Sequence, residues 1–137
     1  MMRRERHGFT VEVPADMVTA ERRLRELLVE EGFGVLTEID VRETLRQKLG
    51  AEFRPYRILG ACNPRLAHRA LEADPAVGVL LPCNVVLESA DRGTVARFLD
   101  PEAALAVVES SAVAGVAREA AERIERVARR LEAELTS

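Results

Sequence analysis

Tryptophan is absent from this chain, and only four Phe and one Tyr supply aromatic surface in its 137 residues. Platforms for stacking nucleobases or sugars are therefore scarce. Histidine is almost as rare, with two residues, and no Ser-His-Asp arrangement is suggested by their spacing. The two cysteines, Cys62 and Cys83, are too few for a secreted disulfide scaffold and read as thiols in a reducing compartment. An excess of one charge is missing too. Twenty basic against 23 acidic residues leave a formal charge of −3, which excludes the broad positive field of a generic nucleic-acid or anionic-membrane binder. The longest nearly charge-free stretch, Pro75–Leu87, is interrupted by Pro82 and Asn84 and is shorter than the roughly 20 residues that span a bilayer. Met1-Met2-Arg3-Arg4-Glu5-Arg6-His7 has no apolar run or small-residue cleavage site. No signal peptide is expected, and a cytoplasmic location is the default. Gly32-Phe33-Gly34 lacks the third glycine and the strand-before-helix context of a dinucleotide loop, and no phosphate-loop lysine motif occurs. No nucleotide or flavin cofactor is implied.

What the chain does have is apolar content, 47% by residue, enough for one compact domain over residues 1–137. Phe9, Val11 and Val13 alternate with Thr10 and Glu12 as in a half-buried strand that Pro14 ends. Met17, Ala20, Leu24, Leu27 and Leu28 form a helical stripe closed by Gly32. Phe33 to Ile39 reads as a second strand, after which Asp40 and Glu43 make a capping-box start for a short helix that Gly50 stops. Tyr56 to Ala61 is an apolar run of strand length. Asn63-Pro64 then opens a helix, Asn as the cap and Pro at the first helical position, which Asp74-Pro75 ends.

Val77 to Glu88 is expected as one long strand, joined through Asp91-Arg92-Gly93 to an antiparallel strand over Thr94–Leu99. Asp100-Pro101 repeats the cap-plus-proline device for a short helix through Val108. Ser110 or Ser111 caps the last helix, whose stripe of Val113, Val116, Ala117, Ala120, Ile124, Val127, Ala128 and Leu131 is the clearest in the chain. Glu21/Arg25, Glu119/Arg123, Glu122/Arg126 and Glu125/Arg129 have i,i+4 spacing on the outer faces. The order β-α-β-α-β-α-β-β-α-α, with its hairpin and two closing helices, predicts an α+β fold: two layers, a mostly antiparallel sheet of about five strands covered by helices.

The segments Gly32-Phe33-Gly34-Val35-Leu36-Thr37-Glu38-Ile39-Asp40-Val41, Pro55-Tyr56-Arg57-Ile58-Leu59-Gly60-Ala61-Cys62-Asn63-Pro64 and Gly78-Val79-Leu80-Leu81-Pro82-Cys83-Asn84-Val85 resemble the motifs of the bacterial and archaeal family known as domain of unknown function 302. The resemblance runs from about residue 8 to residue 135. It implies an α+β domain similar to the TATA-binding-protein-like fold and a homodimer, and it carries over no catalytic residue.

The candidate site gathers on two Cys-Asn pairs. Cys62 immediately precedes a predicted helix N-terminus, where free N–H groups and the helix dipole favour an anion and lower thiol pKa values. The alternative is a small buried hydrophobe at a strand end. Cys83 shares strand parity with Val79, Leu81, Val85 and Leu87, a core position, although Pro82 marks an edge or bulge where side chains are re-aimed. If their strands adjoin, Cys62 and Cys83 have the chemistry to share a soft metal ion, form a reversible disulfide or bracket a small ligand beside Asn63 and Asn84. A complete zinc site would have to recruit His7 or His68, and His68 reads as a solvated helix residue. Glu38 is the one acid of an apolar strand, its parity opposite to Val35, Thr37 and Ile39, and Tyr56 is placed to rim a pocket or pack on the sheet.

Three readings follow. The first is a homodimeric binding module for a soft metal ion, sulfur species or small anion near Pro64, lined by Cys62, Asn63, Cys83 and Asn84 with Glu38 and Tyr56 as neighbours. The second is a thiol enzyme using Cys62 with Glu38 as acid or base. The third is a structural or interaction protein with core cysteines, joined at an edge strand or an exposed sheet face.

Overall fold

The computed structural model describes residues 1–136. Its sheet is built from β1 (Arg3–Arg4), β2 (Gly8–Val13), β3 (Gly34–Asp40), β4 (Tyr56–Cys62), β5 (Cys83–Ala90) and β6 (Gly93–Leu99), in the spatial order β1-β2-β6-β5-β4-β3. Every neighbouring pair is antiparallel. Helices α1 (Met17–Glu30), α2 (Val41–Leu49), α3 (Pro64–Ala73), α4 (Pro101–Leu105) and α5 (Ser111–Thr136) complete the chain. The α+β expectation is met, with one strand more than expected: β1 is two residues long and is defined by pairing with Phe9 and Thr10 rather than by any local pattern.

Strand alternation sends Phe9, Val11, Leu59, Val85, Leu87 and Phe98 to one face of the sheet, where they are buried against Leu24, Leu27, Ile124 and Leu131 of α1 and α5. The α1 stripe buries Ala20, Leu24, Leu27 and Leu28, as its spacing requires. A second cluster joins Leu66 and Ala70 of α3 to Leu105, Val113 and Val116, so α3 docks on α5 rather than on the sheet. The opposite face carries a row set by register, Ile39-Ile58-Val86-Arg97-Thr10-Arg3, aliphatic at one end and charged at the other.

The expected long strand over Val77–Glu88 is corrected. Pro75–Leu80 is a 3-10 helix, the Leu81–Pro82 peptide is cis, and pairing begins only at Cys83. The Asp74 carboxylate accepts from the Ala76 N–H at 2.9 Å and Pro75 fixes the first helical position, a cap-plus-proline device of the kind that opens α3 and α4. Val77 is thereby fully buried in the second cluster while Val79 points to solvent, so neither Val79 nor Leu81 shares a strand face with Cys83. Likewise α4 ends at Leu105 instead of running to Val108. Of the expected i,i+4 pairs, Arg126 abandons Glu122 for Glu31 at the end of α1, which it grips with two hydrogen bonds of 2.9 and 3.0 Å.

Candidate functional site

Asn63 joins β4 to α3 and spends both ends of its amide on structure. Its Oδ1 accepts from the Leu66 N–H at 3.3 Å, capping α3, and its Nδ2 donates to the Glu31 carbonyl at 3.2 Å, tying down the last turn of α1. It is buried. Cys62, one residue earlier, is partly exposed, and Cys83 is buried; both are free thiols. The register sets Ala61, not Cys62, opposite Cys83, so alternation turns the two cysteines to opposite sides of the ladder. The ladder thus brings the cysteines into adjacent strands with opposite alternation, and both still border one cavity beside the start of α3. Burial raises the Cys62 pKa above the ordinary value. The Cys83 thiol is pushed up to about 11 by burial, with Cys62 and Asp100 adding in the same direction. Neither has the depressed pKa that marks a reactive cysteine.

Both cysteines line a cavity of about 40 Å³ together with Phe33, Leu66, Pro82 and Leu105, close to the roughly 30 Å³ that one water occupies in the liquid. No group of three His, Cys, Asp or Glu residues suited to a metal ion occurs among the described residues.

The other candidates separate from this point. Asn84 is exposed at the start of β5. Tyr56 packs edge-on to Phe53 at 5.8 Å at the opposite end of β4. Glu38 lies opposite Thr37 and Ile39, as expected, but shares a side with Val35, because the β3–β4 register skips Leu36. That bulge puts Glu38 beside Leu59 on the helix side, where it pairs with Arg25 of α1 and Arg57 of β4. The hydrogen bond from Arg25 holds its carboxyl below the usual range, which suits an ion-pair partner rather than an acid catalyst.

Two arrangements carry no local sequence signal. On the uncovered face, Glu88 is buried between Arg54 and Arg97, hydrogen-bonded to both. Burial alone would raise its pKa; the bonds from Arg97 and Arg54 outweigh that and lower it. Its ionised form therefore stabilises the fold at neutral pH, and that contribution fades as pH falls through the lowered pKa. Glu88→Gln is expected to cost about 1–2 kcal/mol in urea unfolding at pH 7, discounted because both arginines can re-solvate, with the difference shrinking in acid. The second arrangement is a groove of about 720 Å³ between the end of α1, the start of α3 and the middle of α5. Arg65, Arg69 and Arg123 line it beside Glu30 and Glu119. Arg69 and Arg123 bond Glu119 at 3.0 and 3.3 Å, whereas the Arg123 Nε is buried with no hydrogen-bond partner among the described residues. Residues some 90 positions apart meet here, which no window of sequence displays.

A one-sided antiparallel sheet with α3 launched from β4 beside two cysteines defines a small α+β domain. The family described as "Domain of unknown function DUF302" matches residues 9–131, and the chain belongs to it. A crystal structure of an uncharacterized conserved protein DUF302 from Bacillus stearothermophilus is similar, with 33% identity, a TM-score of 0.82, and coverage of 89% of this chain and 95% of that one. No curated protein matches this chain. No helix of the described residues is long and apolar enough to cross a membrane.

Proposed function

We propose that this chain is a homodimeric binding domain that holds a small oxyanion in the arginine-lined groove where α3 begins. The observation that carries the reading is the convergence of three guanidinium side chains, Arg65, Arg69 and Arg123, on one groove. Guanidinium groups match oxyanions in charge and geometry. The amide end of α3 favours the same charge. Soft-metal and sulfur-transfer readings at Cys62 and Cys83 draw less support, since both thiols are raised in pKa and no third His, Cys, Asp or Glu joins them among the described residues.

Calorimetric titration with inorganic phosphate tests it. Saturable heat is expected, weakened at least tenfold in Arg123→Gln and in Arg65→Ala, the latter at an exposed position. Absence of saturable heat, or heat indifferent to both substitutions, would remove the oxyanion reading.

A further inference from the structure

The cavity of about 40 Å³ bordered by Cys62 and Cys83 exceeds the roughly 10–15 Å³ that admits a water, but holding a water also takes two to four polar partners. The walls do not offer them. Leu66 and Ala70 of α3, Leu105 of α4 and Val116 of α5 are aliphatic and buried. Pro82 and Pro101 have no N–H to present. Asn63, the one amide, has its Oδ1 on the Leu66 N–H and its Nδ2 on the Glu31 carbonyl. The buried side-chain N and O atoms that lack a partner among the described residues belong to Arg123 and Glu132, neither of which lines this cavity. What faces the space besides hydrocarbon is sulfur, as two thiols that burial keeps protonated at neutral pH.

We infer that this cavity is a binding site, separate from the arginine groove, for a small uncharged apolar molecule of dissolved-gas size, which enters past Cys62 and rests against Cys83. The way in follows from exposure. Cys62, Ala67, Leu81 and Pro82 are partly exposed, whereas Cys83 and the walls from α4 and α5 are buried, so the outer side lies where β4 ends and β5 begins. The choice of guest follows from the walls. Thiol sulfur is soft and behaves as a small hydrophobe, and with the surrounding aliphatic groups it supplies dispersion to a guest that asks for no directional bond. An anion would sit among hydrocarbon with no counter-charge. A metal ion would first have to displace the protons of both thiols. The site therefore rejects water, phosphate and cations for one reason, and a compact neutral molecule is what remains.

Xenon, an uncharged and polarizable atom, is the probe. NMR spectra of the full chain at rising xenon pressure should show saturable shifts at Ala61, Cys83, Leu105 and Val116, which line the space. Ala70→Leu fills it and is expected to weaken binding by about tenfold or more, whereas Arg65→Ala, in the groove, leaves the shifts unchanged. Should the filled variant fail to fold, Leu105→Ala decides: it enlarges the cavity, and is expected to tighten xenon binding by about threefold or more. Shifts that are absent, or linear in pressure, or indifferent to both cavity substitutions overturn the assignment, and so does a resident water detected by cross-relaxation at the same walls. Phosphate heat and xenon shifts fail separately, so loss of one reading leaves the other standing.

Discussion

Gly8→Ala is expected to destabilise the protein by about 3–5 kcal/mol, the sum of a strained backbone and an overpacked contact. Gly8 opens β2 opposite Leu99 with φ +152°, a region open to glycine and hostile to a side chain. A Cβ there would collide with the Phe98 carbonyl oxygen and lie 2.6 Å from the Asp100 nitrogen. Both obstacles are backbone. They cannot swing aside, because the Asp100 N–H donates to the His7 carbonyl at 2.9 Å and β6 is bonded on both edges. Gly115→Ala is the control of opposite sign. It lies exposed in α5 with nothing within 4 Å of its would-be Cβ, so alanine should gain about 0.5–1 kcal/mol from helix propensity and a less flexible unfolded chain. Urea unfolding of the two variants reads both numbers. Equal effects in the two would refute the steric account.

The features that proved legible in the sequence were short-range. Asp40, Asn63, Asp100 and Ser110 were identifiable as caps because each bonds an N–H two or three residues on: Glu43 at 3.0 Å, Leu66 at 3.3 Å, Glu102 at 2.9 Å and Val113 at 3.2 Å. The α1 and α5 stripes were legible because a period of 3.6 over several turns has no competing explanation. Pro75–Leu87 was not, because a bare apolar run fits strand and buried turn alike. What decides it is that Val77 enters the α3–α4–α5 cluster, a tertiary fact. The bulge that turns Glu38 toward Arg25 and Arg57 is another, since a skipped residue inverts parity for everything on its far side.

The candidate site was half legible. The cap placed Cys62 and Asn63 at a strand end, while Cys83 was expected inside a longer strand whose distance from Cys62 the sequence left open; the ladder makes β4 and β5 neighbours and starts β5 at Cys83. Their relative facing depended on whether residue 61 or 62 opposes Cys83, which only the ladder sets. The arginine groove was invisible for a similar reason. Arg126 and Arg123 read as partners of Glu122 and Glu119 four residues back, yet Arg126 leaves Glu122 for Glu31 and Arg123 reaches Glu31 as well as Glu119 across the α1–α5 interface.

Alkaline unfolding should report the Cys83 environment directly. Its thiol ionises at an ordinary value of 9.0 when the chain is unfolded and near 11 in the fold, because burial opposes the thiolate. With the folded pKa raised, the unfolded state loses its proton first. Stability from the neutral, buried thiol is thus complete below pH 9 and drains away as pH climbs toward 11. A shift of that size corresponds to about 2–3 kcal/mol at full effect. Cys83→Ala removes the titrating group while leaving a small apolar side chain in the cavity wall, at a pH-independent cost of about 1 kcal/mol for the lost sulfur contacts. Stability measured by urea between pH 7.5 and 10.5 should therefore fall more steeply in wild type than in Cys83→Ala, the two curves meeting between about pH 9 and 10 and crossing above that. Cys62→Ala supplies the comparison: its thiol is raised in pKa but partly exposed, so deleting it should flatten the curve less. Parallel curves for wild type and Cys83→Ala would mean that Cys83 is solvated in the fold, and would restore it as a candidate for thiolate chemistry.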